Sequence, residues 1–291
     1  MATASTSHEL GAFLRSRRSA LSPVTLGLPS YGQRRVQGLR REELALLAGV
    51  STAYYTRLEQ GASLTASESV LDSLASALGL DEDERAHLKT LARPTPNAKP
   101  ATTRPERATP ELRQLVSAMM GTPALLLGRF QDVLDWNPEA HRLFAGHLDV
   151  DAPRNRRTRP NMVRMLFLDP EGRALYRDWQ QQAAYSVSAL RFAAGEFPND
   201  GALRELVGEL STVSQEFAEL WAKRTVRRCA GGSKQFRHPE FGDFDLDFES
   251  LDVPRQPGQR LLLLSAKPGT ADEAALLLLA HASREATVGT T

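Results

Sequence analysis

The sequence predicts two folds in series: an all-α, five-helix N-terminal domain, then an α+β C-terminal domain built on an antiparallel sheet. Three observations predict this. Up to about residue 92, apolar residues recur at helical spacing. The stretch "RPTPNAKPATTRPERATP" (93–110) then interrupts them; rich in Pro, Thr and Ala and without a large apolar residue, it has nothing to add to a core. Beyond it, short runs of period-two alternation mix with helical ones. The expected boundaries are therefore 1–92, a linker at 93–110, and 111–285.

Within the first block, Leu10, Phe13 and Leu14 mark one helix, followed by a long Pro- and Gly-rich loop. Two short helical patterns follow in "LRREELALLAGVSTAYYTRLEQG" (39–61). Ser67 or Ser69 caps the next helix, which carries Val70, Leu71, Leu74, Ala75 and Leu78 and is ended by Gly79. The last, "DEDERAHLKTLA", opens on acids that suit a helix N-terminus.

In the second block, "PALLLGRFQDVLDWN" reads as two strands with a tight turn near Gly128–Asp132, and "PEAHRLFAG" as a short helix with Pro in its first turn. Residues 161–228 hold several helices, with breaks at Asp169–Gly172 and Gly195–Gly201. Three strands follow. In one, Phe244, Leu246 and Phe248 alternate with Asp243, Asp245 and Asp247, as in a half-buried strand. A final helix runs from Ala271 to about Ala282.

Charge distribution says more than the net charge of +1. No acid stands between Glu9 and Glu42, whereas Arg15, Arg17, Arg18, Arg34, Arg35, Arg40 and Arg41 do. Such a cluster is the footprint of a polyanion partner. One cysteine, Cys229, excludes an internal disulfide framework or a multi-cysteine zinc site and fits a reducing compartment. The N-terminus lacks the apolar core of a signal peptide, and no apolar run is long enough to span a bilayer. These features predict a soluble, cytoplasmic protein without membrane association.

The stretch 39–61 explains the cluster. Leu44, Ala45 and Ala48 share one face of its first helix; Gly49 ends that helix, Val50 plugs the joint and Ser51 caps the next. Tyr55 and Leu58 then pack inward, leaving Thr52, Ala53, Thr56 and Arg57 on the outer face. This is a helix-turn-helix unit, whose second helix enters the major groove of double-stranded DNA. Arg57 suits a guanine edge, and the Thr and Ala residues suit thymine methyls. Phosphate contacts are expected from Arg34, Arg35, Arg40, Arg41, Ser51 and Tyr54, the last of these around the helix N-termini. Helix-turn-helix proteins commonly bind as pairs, so a homodimer is expected.

The first block resembles the XRE-type helix-turn-helix domains of bacterial regulators. More narrowly, "RRVQGLRREELALLAGVSTAYYTRLEQG" and "VLDSLASALGLDEDERAHLKTLA" are similar to the subfamily with a MmyB-like ligand-binding domain. The second block adds "DVLDWNPEAHRLF", "MLFLDPEGRALYRDW", "FRHPEFGDFDLDFESL" and "PGQRLLLLSAKPG". The resemblance covers nearly the whole chain. It departs at Val36–Gln37, where a small polar residue and Pro would make the loop more rigid. It implies a transcriptional regulator whose PAS-like second domain takes an apolar, fatty-acid-like small molecule.

For a pocket, the choice falls on Trp136, Met165, Phe167 and Trp179, where the first strands should meet the following helices. The alternative is a DNA-bound scaffold whose second domain dimerises or recruits protein without a small ligand. An enzyme is not expected. His238, Glu240, Asp243, Asp245 and Asp247 form the densest polar constellation but read as a solvent-facing strand edge, and no phosphate loop, metalloprotease motif or nucleophile elbow is present. Neither a cofactor nor a metal is expected. Cys229 reads as incidental, and "RNRRTRP" (154–160) as a solvated basic loop.

Overall fold

The structure, a computed structural model, describes residues 2–24, 26, 38–62, 66–92, 106–228 and 230–288. The chain forms two compact units: one takes 1–102 with 194–201 and 222–228, and the other takes the rest.

The first unit holds α1 (Ala2–Ala20), α2 (Arg41–Leu47), α3 (Thr52–Glu59), α4 (Glu68–Ala77) and α5 (Glu82–Ala92). The helical spacing of Leu10, Phe13 and Leu14 buries all three, and Leu39, Leu44, Tyr55, Leu58, Leu74 and Leu88 of the same unit are buried as well. Each leucine so buried contributes about 1.5–3 kcal/mol. Close approach of α1 to the end of α3 depends on Gly11: a Cβ there would lie 2.3 Å from the Glu59 carbonyl oxygen. Ser67, rather than Ser69, caps α4, its side chain accepting from the Val70 N–H. Residues 222–228 join this unit through an ion pair of Arg224 with Glu9 at 2.7 Å and the buried side chain of Val226.

The second unit starts in the expected linker, where Ala108 is buried and Glu106 is bound to the backbone N–H of Arg129. Then come α6 (Pro110–Ala118), β1 (Ala124–Leu127), β2 (Val133–Trp136), α7 (Pro138–Ala145), α8 (Met162–Leu168), α9 (Pro170–Ala174), α10 (Trp179–Glu196), α11 (Gly201–Val213), α12 (Gln215–Ala222), β3 (Gly231–His238), β4 (Gly242–Asp252), β5 (Arg260–Ser265) and α13 (Ala271–Val288). The ends of α10 and α12 fall in the first unit's segments.

The five strands form one antiparallel sheet in the order β2-β1-β5-β4-β3. Strand β1, between β2 and β5, is buried along its whole length. On one face Val116 of α6 packs with Leu126, Leu134 and Leu261. The predicted alternation of β4 holds: Phe244 and Leu246 are buried, while Asp243 and Asp247 are exposed. Asn137 fastens the β1–β2 hairpin to α7. Its side-chain oxygen accepts from the N–H groups of Ala124 and Ala140, and its amide nitrogen donates to the carbonyls of Met119 and Thr122.

Three elements differ from expectation. The expected break at Asp169–Gly172 is a cap and a helix start, with Asp169 accepting from Glu171 N–H and Pro170 opening α9. Helix α6 was not expected; Thr109 caps it and Pro110 is its first residue. The last helix continues beyond Ala282 to Val288.

Candidate DNA-binding surface and ligand domain

The joint between α2 and α3 follows from its residues. Gly49 adopts φ +65, a left-handed conformation that costs glycine little. The Val50 N–H reaches back to the Ala45 carbonyl at 3.0 Å, closing the turn. Ser51 then caps α3, its hydroxyl accepting from Tyr54 N–H at 3.1 Å. Tyr55 and Leu58 are fully buried, which turns Thr52, Ala53 and Arg57 to solvent with Thr56 half-buried at their side. Tyr54 is half-buried and Ser51 is exposed. The outer face of α3 is thus short, polar and free of acid, the surface a base edge requires.

Glu59 ends that helix, and sequence reasoning missed its role. Its side chain is buried, and it gathers three arginines from two other helices. Arg18 donates to both carboxylate oxygens, at 2.8 and 3.0 Å, and to the Leu39 carbonyl. Arg41 donates at 2.8 Å, and Arg15 lies at 3.4 Å. Burial alone would push Glu59 up, but its bonds with Arg18 and Arg41 prevail and hold it below the ordinary carboxylate range. Arg41 and Arg15 nevertheless keep 41% and 58% of their side chains in solvent, enough to meet a phosphate as well. The signal for this was available: Tyr55 and Glu59 are four apart, on the same inward face of α3. Arg40 directs its N–H to Glu43 and lies 3.7 Å from Glu42. Arg34 and Arg35 lie outside the described residues.

In the second unit, Phe167 of α8 meets Trp179 of α10 edge-on at 5.6 Å and Phe217 of α12 at 5.3 Å. Phe217 stacks on Trp221. The guanidinium groups of Arg173 and Arg191 lie 3.7 Å over the rings of Trp179 and Trp221, favourable cation–π placements. Met165, two residues before Phe167 in α8, is also buried. Trp136 keeps other company: it is tilted against His141 at 5.0 Å and donates from Nε1 to the Val150 carbonyl. The structure therefore brings together Phe167 and Trp179 of the expected four and adds Phe217 and Trp221.

The polar constellation on β3 and β4 is occupied by structural bonds. His238 donates from Nε2 to the Arg142 carbonyl, and its Nδ1 accepts from Glu240 N–H. Burial lowers its pKa, matching the neutral ring that both bonds require. Asp245 pairs with Arg177 and Asp243 with Arg237. Among the described residues no group of three His, Cys, Asp or Glu is placed to hold a metal ion, and no helix is long and apolar enough to cross a membrane. Cys229 lies outside the described residues.

Comparison with known families agrees with this geometry. Residues 9–88 match a helix-turn-helix domain family, and residues 108–279 match the MmyB-like transcription regulator ligand binding domain. A search of curated proteins gives no match to the chain. These are domains of a DNA-binding transcription regulator and of no enzyme family. With an open, acid-free α3 face in one unit and an aromatic-lined α+β fold in the other, the chain belongs to the helix-turn-helix regulators that carry an MmyB-like ligand-binding domain.

Proposed function

We propose that the protein is a cytoplasmic, sequence-specific regulator of the XRE type that reads bases through Thr52, Ala53, Thr56 and Arg57. Arg34, Arg35, Arg40, Arg41, Ser51 and Tyr54 hold phosphates and set the register. The observation that carries the reading is the exposure of Thr52, Ala53 and Arg57 on a helix whose other face is fully buried. Selection from a random duplex library supplies the operator for the test. On it, Arg57→Ala should cost about 1–3 kcal/mol and relax preference at one position. Arg41→Ala should weaken selected and random duplexes alike and flatten the salt dependence. Equal losses by both variants on both duplexes would overturn the division between reading and holding.

The second domain, in this reading, is a PAS-like sensor of an apolar, fatty-acid-like molecule. The aromatic group of Phe167, Trp179, Phe217 and Trp221 supports it, because apolar ligands bind among such walls. Saturated fatty acids of eight to sixteen carbons (~8–16, a span set by how many methylenes such walls can cover) should raise the melting temperature. Phe167→Ala should abolish that rise while keeping a cooperative melt. Absence of any shift across the series would remove the ligand reading.

A second reading rests on α13. Leu277 and Leu278 are 60% and 61% exposed on its outer face. Such adjacent apolar side chains favour a homodimer or a recruited protein. Sedimentation of the full chain across a hundredfold range (~100, enough to cross a micromolar Kd) separates a monomer from a pair.

A further inference from the structure

The loop 151–160 of the ligand domain is a basic surface, and it is held rather than loose. A short 3-10 turn, Ala152–Arg154, opens it. The Arg157 N–H donates to the Asn155 side chain at 3.0 Å, and the Thr158 N–H to the Asn155 carbonyl at 3.1 Å. Arg159 turns inward, donating from Nε to the Pro153 carbonyl at 3.0 Å and from Nη1 to the Glu106 carbonyl at 3.1 Å. Pro160 then accepts from the Val133 N–H, joining the loop to the sheet edge.

This construction faces Arg154, Arg156 and Arg157 to solvent. Arg154 shares its charge with Asp151 at 2.8 Å. Neither Arg156 nor Arg157 forms an ion pair among the described residues. Arg107 is exposed next to Glu106, where Arg159 anchors the loop, and its carbonyl is fixed by the Gln259 side chain. Burial lowers the Arg159 pKa; the carboxylates of Asp132 and Glu106 oppose that shift, and the charges of Arg156 and Arg107 add to it.

We propose that this loop is a second DNA-contacting surface, with Arg156, Arg157 and Arg107 binding backbone phosphates of the duplex that α3 reads. The inference rests on the DNA-binding reading above. Three features favour a duplex over other polyanions. Guanidinium groups on a fixed loop match phosphate oxygens. The segment "RNRRTR" has no apolar side chain to insert into lipid, as an interfacial membrane anchor would. The same chain carries the helix-turn-helix block. A bound duplex therefore stays at high local concentration around the loop.

The test uses the full chain and a random-sequence duplex of some forty base pairs (~40, about four helical turns), so no operator need be known. Arg156→Ala/Arg157→Ala should melt like the wild type yet bind this duplex more weakly. Two lost phosphate contacts reduce the slope of log K against log salt by about 2. Between 50 and 200 mM salt (~50 and ~200) the wild type should then lose roughly tenfold more affinity than the variant. Arg156→Lys/Arg157→Lys should retain most of the binding, since charge carries the contact; should the alanine pair fold poorly, Arg157→Gln gives the same comparison at half the slope change. An unchanged slope and affinity would overturn the proposal. So would unchanged DNA binding with lost binding to phosphatidylglycerol-containing vesicles. A wild type that binds no duplex at all would instead remove the DNA-binding reading itself.

Discussion

Glu59 shows how one side chain can serve both fold and function. Its carboxylate joins α1 and α2 to the end of α3 through Arg18, Arg15 and Arg41. Removing it leaves the Arg18 guanidinium buried without a counter-charge, so Glu59→Ala should cost about 3–5 kcal/mol in urea denaturation. The sign with pH follows from its lowered pKa. A carboxylate held below its ordinary 4.5 stabilises fully above that value and loses its contribution as pH falls through the folded one. Between pH 7 and 5 the cost of Glu59→Ala should therefore be constant, then shrink as the solution becomes more acid. A cost that grew on acidification would contradict the assignment. The arginine-rich stretch was legible in the sequence as a charge pattern. Its counter-charge was not, because pairing across 41 positions is a property of packing rather than of spacing.

At the scale of elements, the sequence is most readable where a backbone requirement selects the residue. Gly49, Ser51 and Ser67 each stand where a turn or cap demands them, and the α2–α3 joint was legible from them alone. The alternating acids of β4 were equally plain, since a strand with one buried face repeats every two residues. Helices α6 and α9 were harder. Their proline starts look like loop signals when read singly, and only the preceding Thr109 and Asp169 caps turn each proline into a first helical residue. Gly11 is the reverse case. Mid-helix it reads as a defect, yet it is where α1 touches the α3 backbone. Since backbone atoms cannot yield as a side chain would, Gly11→Ala should destabilise by about 1–3 kcal/mol despite Ala's better helix propensity. A stabilised variant in thermal melts would mean that α1 does not dock as closely as described.

At the scale of the molecule, the two units do not coincide with two uninterrupted pieces of sequence. Residues 194–201 and 222–228 leave the ligand-binding region of the chain and are counted with the helical unit. Their bonds there are specific. Ser16 donates to the Lys223 carbonyl, Arg224 pairs with Glu9, and the Arg228 N–H donates to Asp83. Nothing in the sequence marked this return, because "AKRTVRR" has the composition of any basic loop. The pocket residues show the same limit: Phe167 and Trp179 meet, whereas Trp136, chosen with them for its type and position, lies against His141 instead. The return has a thermodynamic consequence. A fragment ending at residue 92 keeps all five helices but loses the Arg224 side chain that pairs with Glu9, the Arg228 N–H that donates to Asp83, and the buried Val226. It should fold, since α2, α3 and α4 keep their core, but α1 and α5 should exchange amide hydrogens faster than in the full chain. Addition of Arg224→Ala to the full chain should move α1 part of the way toward the fragment, through loss of the Glu9 pair. Exchange on α1 and α5 that is identical in fragment and full chain would show that 222–228 contributes nothing to the helical unit. The helix-turn-helix block would then fold independently of that segment.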